Sequence, residues 1–369
     1  MYRISFQRTV CVLLAITLTI GCQHSENTEH VATHGLSVEE CLERLEQCGA
    51  KLEYHANGNN LKSINLAGIE IDDAVLNGLG QFKTLETIVI ASHDKPNDQV
   101  TDAAIVQLSG IVTLKTLDLC GTAVTSDVLP QLKNMKALSQ LRMSGKLSGD
   151  GLKVLSSQFP ALGLIAFDRS DIGDDDLVEI AKVKRLVSLF LAHTQITDKG
   201  MPCLAGLSNL KNIRLGNTAV TDEGVKSLVP LKALINIDLS NTSIGDDALA
   251  TLASMTQLEQ LNLYTTRVTD AGVDFLIPLV NLTKLNLDAC NISDESIPKL
   301  ATLKKLTFLH LGRTDISDDC IETLKTMPHV KELYVTRTKI TRQGAESLVA
   351  ALPQDCIVNV DKAGDAAYP

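Results

Sequence analysis

The chain has 369 residues, a net charge of −10, 44 % hydrophobic residues, only 3 % aromatic residues and no tryptophan. An aliphatic core spread over this length suits one elongated, repetitive packing layer better than two ordinary domains. The charge becomes −12 once the basic residues Arg3 and Arg8 are set aside, and no basic tract offsets it, which argues against nucleic acid or an anionic membrane surface as the partner of the folded part.

Residues 1–22 read as an address. MYRISFQR carries two arginines, TVCVLLAITLTI is apolar but too short for a comfortable membrane span, and Gly21 and Cys22 follow. The stretch resembles a bacterial lipoprotein signal, with Thr19 at a position where that signal prefers Leu. The resemblance implies that Cys22 is lipidated and becomes the mature N-terminus, and Gln23 behind it implies transfer to the outer membrane. Residues 23–35 are polar and weakly patterned, as a tether between lipid and folded domain would be.

Residues 36–60 predict a cap. LSVEECLERLEQC, from Leu36 to Cys48, has the spacing of an amphipathic helix, and a hairpin is expected around Asn57 and Gly58. Together they should cover the sheet edge that the first repeat would otherwise expose.

From Leu61 to about Leu352 one sentence is repeated. The apolar-x-apolar core at Ile213 to Leu215 recurs every 24 residues, backward to Leu117 and forward to Leu333, with one 29-residue step before Leu117 where SHDKPND is inserted. This gives twelve units, and Ile357 to Val360 offers a thirteenth strand within a C-terminal cap and tail over residues 353–369. A period of this length demands an open solenoid in which each unit buries its neighbour. The alternation predicts a short strand with its middle residue facing outward, and Thr221 with Asp222 predicts a helix start. Twelve parallel strands would make a sheet roughly 55–60 Å long. The fourth unit, LRMSGKLSGDGLKVLSSQFPAL, drops a residue near Lys146 and regains it near Phe159, so a distorted turn is expected there.

The pattern L-x-x-L-x-x-L-x-L-x-x-T-x-V-T-D-x-G, as in Leu207 to Gly224, resembles a leucine-rich repeat of the short, helix-backed bacterial type. It is similar to the cysteine-containing, ribonuclease-inhibitor-like subtype. Thr122, Thr194, Thr218, Thr242, Thr266, Thr314 and Thr338 stand in the cysteine or asparagine position, and Cys290 holds it once. The resemblance implies an α/β horseshoe with a parallel sheet on the concave face and short helices on the convex face. That subtype also occurs in substrate receptors of ubiquitin ligases, but no F-box-like helical segment precedes these repeats.

The residues for chemistry are mostly missing. There is no P-loop, GxSxG, HExxH or strand-linked GxGxxG, so no enzyme activity and no cofactor or metal is expected. Seven cysteines lie beyond Cys22 without any CxxC pair, which favours buried free thiols. Asp174, Asp198, Asp222, Asp246, Asp270, Asp294 and Asp318 stand in register, each expected near the positive end of its own helix rather than on a cation-binding rail.

The outward strand positions carry the functional signal. They include Phe190, Arg214, Asp238, His310 and Tyr334, with Tyr264, Asp288, Phe308, Lys284 and Glu332 in adjoining columns and Arg313 and Arg337 just beyond. Ten Phe and Tyr residues follow the leader, and four of them fall in columns that make up about one eighth of a repeat, where one or two are expected by chance. Aromatic residues and arginines gathered on an exposed face have the composition of a binding hot spot. The expected function is a non-enzymatic scaffold held at the cell envelope by lipid, with a protein or peptide on its concave face. An adhesin meeting another cell or a surface polymer is the alternative.

Overall fold

The computed structural model describes residues 36–360 apart from positions 57 and 59. The leader with Cys22, the tether and the last nine residues lie outside the described part.

Val38–Gln47 forms the N-terminal helix. Ser37 and Glu40 make a reciprocal cap, in which the Glu40 amide donates to Ser37 Oγ and the Ser37 amide donates to Glu40. Its Cys41 and Leu45 are buried, and the Cys41 thiol donates to the Asn77 carbonyl of the first repeat. Strands β1 (Lys51–Tyr54) and β2 (Leu61–Asn65) pair antiparallel, so a hairpin joins helix and repeats.

The repeats then supply β3 (Thr87–Val89), β4 (Thr116–Asp118), β5 (Gln140–Arg142), β6 (Leu164–Ala166) and β7 (Ser188–Phe190). Further along come β8 (Asn212–Arg214), β9 (Asn236–Asp238), β10 (Gln260–Asn262), β11 (Lys284–Asn286), β12 (Phe308–His310) and β13 (Glu332–Tyr334). The last, β14 (Ile357–Asn359), is the strand expected from DCIVNVD. All fourteen lie in chain order in one sheet, and β2 to β14 are parallel. Register advances one repeat at a time, so Leu261 faces Ile237 on one side and Leu285 on the other.

Curvature follows from spacing. Parallel strands sit about 4.8 Å apart, whereas even slim helices need about 8–10 Å between axes, so the sheet side must be the inner one. The return segments are short: α-helical at Asp174–Ile180 and Asp246–Leu252, but 3₁₀ at Ser126–Gln131 and Met201–Gly206. The narrower 3₁₀ turn fits where Pro130 or Pro202 removes a donor. Between the layers lies one continuous aliphatic core from Cys41 to Leu352.

Two ladders of side-chain hydrogen bonds recur along the solenoid, the first closing the turn within each repeat and the second joining one repeat to the next. Thr242 Oγ1 donates to the Leu239 carbonyl at 2.6 Å, and Thr194, Thr218, Thr266 and Thr314 repeat the bond. Cys290, in the same place, instead donates its thiol to the Leu263 carbonyl at 3.1 Å. Thr242→Val keeps the shape and removes the donor, so it should cost about 1–3 kcal/mol, read as a lower urea midpoint with an unchanged circular dichroism spectrum.

The aspartate ladder does more than meet its own helix. Six of the seven open a helical segment as expected, whereas Asp198 lies in a turn before the Met201–Gly206 segment, and their oxygens accept bonds from the next repeat. Asp198 accepts from the Thr221 amide at 2.7 Å, from Thr221 Oγ1 at 2.6 Å and from the Gly224 amide at 3.0 Å. The same clamp joins Asp174 to Thr197, Asp246 to Thr269, Asp270 to Ser293, Asp294 to Ser317 and Asp318 to Thr341. Asp222 meets only the Gly245 amide, because glycine there has no hydroxyl. This explains the T-D-x-G pattern: a Cβ on Gly224 would collide with the Asp198 carboxylate arriving from the repeat before.

In the fourth unit the turn is distorted, as the missing residue predicts. Gly145 and Gly149 take φ of +86° and +123°, and Asp171 of the next repeat ties down the Leu147 and Ser148 amides. Leu147 is thereby buried one position early, and Phe159 and Phe167 fill the core beside it.

Candidate functional site

Strands β3 to β13 each bury their middle residue and carry their first and last residues on the opposite, concave side, as Ile213 between Asn212 and Arg214 illustrates. Two clusters form there. In the centre, Arg214 lies with its Cζ 4.7 Å from the centroid of the Phe190 ring. Its Nη1 reaches Asp168 Oδ2 at 3.1 Å and its Nε lies 3.8 Å from Asp238 Oδ2. Phe190, Arg214 and Asp238 are thus brought together. Asp168 completes the group and was missed by sequence reasoning, although it occupies the repeat position of Tyr264 and Asp288.

The second cluster covers the C-terminal repeats. Arg313 grips Asp288 with two parallel bonds, Nε to Oδ1 at 2.9 Å and Nη2 to Oδ2, and its Cζ lies 5.0 Å from the Tyr264 ring. This fork pushes the Arg313 pKa further up, so the guanidinium is permanently charged. Arg313 is aimed by its backbone. Its φ of +51° is in the left-handed region, at a cost of about 1–2 kcal/mol, offset by an amide bond to the Thr336 carbonyl of the next repeat at 2.9 Å.

Beside this fork the rings of His310 and Tyr334 stack at 4.6 Å and 5°, and Phe308 tilts against Tyr334 at 5.4 Å. Burial lowers the His310 pKa, which keeps the imidazole neutral at pH 7. The Gly312 amide donates to its Nδ1 at 3.2 Å, so the ring proton belongs on Nε2. Asp288 Oδ2 is 3.9 Å from Nδ1 and already held by Arg313, so it does not orient this histidine as a general base.

Arg337, with Arg267, Cys290, Arg313 and Asp315, lines a lateral concavity of about 740 Å³. A groove of about 400 Å³ runs across the strands from Phe190 to Phe308, and its floor is rich in amides: Asn212, Asn236, Asn262 and Asn286. Those amides pair along the solenoid, Asn262 Nδ2 donating to Asp238 Oδ1 at 3.0 Å and Asn236 to Asn212, while Asn236 Oδ1 is buried without a partner.

Among the described residues no group of three His, Cys, Asp or Glu side chains could hold a metal ion, and the seven cysteines from Cys41 to Cys356 are free. Burial pushes the Cys320 thiol up to about 12 and the Cys120 thiol up as well, which leaves both un-ionised and unreactive. No described helix is long and apolar enough to cross a membrane.

The pattern of the Leucine Rich repeat family matches residues 279–301. Among curated proteins none matches the chain. Among solved structures, an internalin from Listeria monocytogenes aligns with a TM-score of 0.57 at 23 % identity, over 82 % of this chain and 87 % of that one. A leucine-rich repeat protein of Leptospira interrogans gives 0.48 at 14 % identity over 81 % and 90 %. The ectodomain of a plant membrane receptor kinase from Arabidopsis thaliana gives 0.47 at 16 % identity over 84 % and 42 %. With the strand order, the repeat-to-repeat register and the single aliphatic core, the chain has the fold of a leucine-rich-repeat solenoid.

Proposed function

We propose that this protein is a non-enzymatic interaction scaffold at the bacterial cell envelope, tethered through lipid on Cys22, that binds a protein or peptide on its concave face. Residues 36–60 cap one end, 353–369 supply a C-terminal cap and tail, and residues 61–352 present the binding surface.

The observation that supports this most is the C-terminal cluster. Phe308, His310 and Tyr334 form a stacked aromatic surface against the Arg313–Asp288 fork. Arg and aromatic side chains held rigid before binding lose little entropy on contact, which is the condition for a hot spot. Anchoring rests on the arginines of the leader, its apolar stretch and the Gly21–Cys22 pair.

A crosslinking pull-down from envelope fractions tests the reading, with the native chain compared to a Phe308→Ala, Arg313→Ala, Tyr334→Ala triple variant. One partner enriched only by the native chain is the expected result. Equal recovery by both would make the cluster structural and move the binding surface to the other concave columns or to the aspartate edge.

A further inference from the structure

The two concave columns of the strands contain few charges, and most are satisfied. Asp118 and Arg142 lie 3.9 Å apart, and Arg214 is shared between Asp168 and Asp238. Lys284 and Glu332 are different: among the described residues neither makes an ion pair or a side-chain hydrogen bond. Both stand at the first position of their strands, with Phe308 directly between them in register. They stand two strands apart, about 10 Å, with the Phe308 ring between them, and make no ion pair with each other. The row therefore presents a cation, an aromatic ring and an anion side by side, and Gln260 precedes it on the next strand.

We propose that this row reads a polypeptide segment in extended conformation, carrying an acidic side chain for Lys284, an apolar one for Phe308 and a basic one for Glu332. The inference rests on the concave-face reading above and specifies the partner's chemistry. Three residue steps of extended chain cover about 10 Å, so an acidic and a basic residue with two residues between them match the span from Lys284 to Glu332, the apolar side chain lying at one of the two positions between. A polypeptide supplies an acid, an apolar group and a base within that length. A nucleic acid offers only anions to a chain of net charge −10, and a neutral or acidic glycan has no cation for Glu332. The neighbouring side-chain amide of Gln260, which lines the groove, carries both a donor and an acceptor, as a peptide backbone requires. Complementary charges at such a site act mainly on selection and register, so the order of the charges should be legible in what binds.

The test pans a random heptapeptide phage library against the purified chain, against Lys284→Glu and Glu332→Lys, and against the double variant, which swaps the two charges at constant net charge. Thermal melting of each variant checks that the solenoid is intact. The native chain should enrich acid–apolar–base sequences by about tenfold or more, a gain of some 1.4 kcal/mol. Each single variant should lose that preference, and the double variant should enrich the reverse order. Identical sequences from all four proteins, or no enrichment by the native chain, would overturn the proposal. So would retention of a chitin, cellulose or uronic-acid oligosaccharide by the native chain in place of peptides.

The two readings fail separately. An envelope partner lost by the Phe308, Arg313 and Tyr334 variant but unaffected by the charge swap removes this inference and leaves the scaffold in place. A partner indifferent to the triple variant removes the C-terminal cluster as the binding surface of the scaffold.

Discussion

Asp198→Ala should destabilise the solenoid by about 3 kcal/mol, because it leaves two amides and a hydroxyl of the next repeat without their charged acceptor. The bonds come from the Thr221 amide, Thr221 Oγ1 and the Gly224 amide, all between one repeat and the next. In a solenoid, stability is the sum of repeat and interface terms, so weakening one interface uncouples the two sides. Urea unfolding should accordingly change from one transition to two, with a lower slope for each. A single transition shifted by less than about 0.5 kcal/mol would show that packing, not the carboxylate, couples the repeats.

The same clamp has a pH signature. Burial raises the Asp270 pKa, but bonds from the Ser293 amide, Ser296 Oγ and Ser293 Oγ outweigh it and hold the carboxyl below its usual range. Its contribution is therefore fully present above about pH 4, the unfolded value, and is lost as pH falls through the lower folded value. Asp270→Asn should lose stability at neutral pH and show a shallower decline in acid than the native chain.

Truncating Phe308, Arg313 and Tyr334 together should weaken partner binding by about 100-fold or more, since buried aromatic and arginine anchors are worth about 2 kcal/mol or more each. The loss should appear as faster dissociation, because the removed groups act after encounter. Stability should fall much less than affinity, as all three side chains stand on the concave face outside the continuous core. Removing Arg313 also leaves Asp288, which is 7 % exposed, without its cation, so an Asp288→Asn background separates lost contact from a stranded charge. A titration by surface plasmon resonance against the crosslinked partner reads both rates.

Much of the fold was legible because burial in a repeat is periodic. Ile213, Ile237, Leu261 and Leu285 recur at one spacing and face each other in the sheet at that spacing. The hairpin, the last strand and the distorted fourth turn were likewise visible as local breaks in the pattern. The columns of the concave face could be aligned from the chain alone, which found Phe190, Arg214, Tyr264, Phe308 and Tyr334.

Contacts between columns could not be found that way. Arg214 reaches Asp168 across two repeats, and Arg313 is shared between the Asp288 fork and the lateral concavity that Arg337 also lines. The aspartates in register were visible, but not that they clamp the turn of the next repeat, nor that Asp174, Asp198, Asp246 and Asp318 leave no room for a Cβ at Gly200, Gly224, Gly272 and Gly344. Periodicity specifies which face of a strand a residue occupies, since alternation and a fixed repeat length leave no choice. Which neighbour a long side chain takes depends on curvature and on competition among several partners within reach. Those distances exist only once the repeats are stacked, so the sequence by itself determined the solenoid and its surfaces, and the tertiary structure decided the pairings.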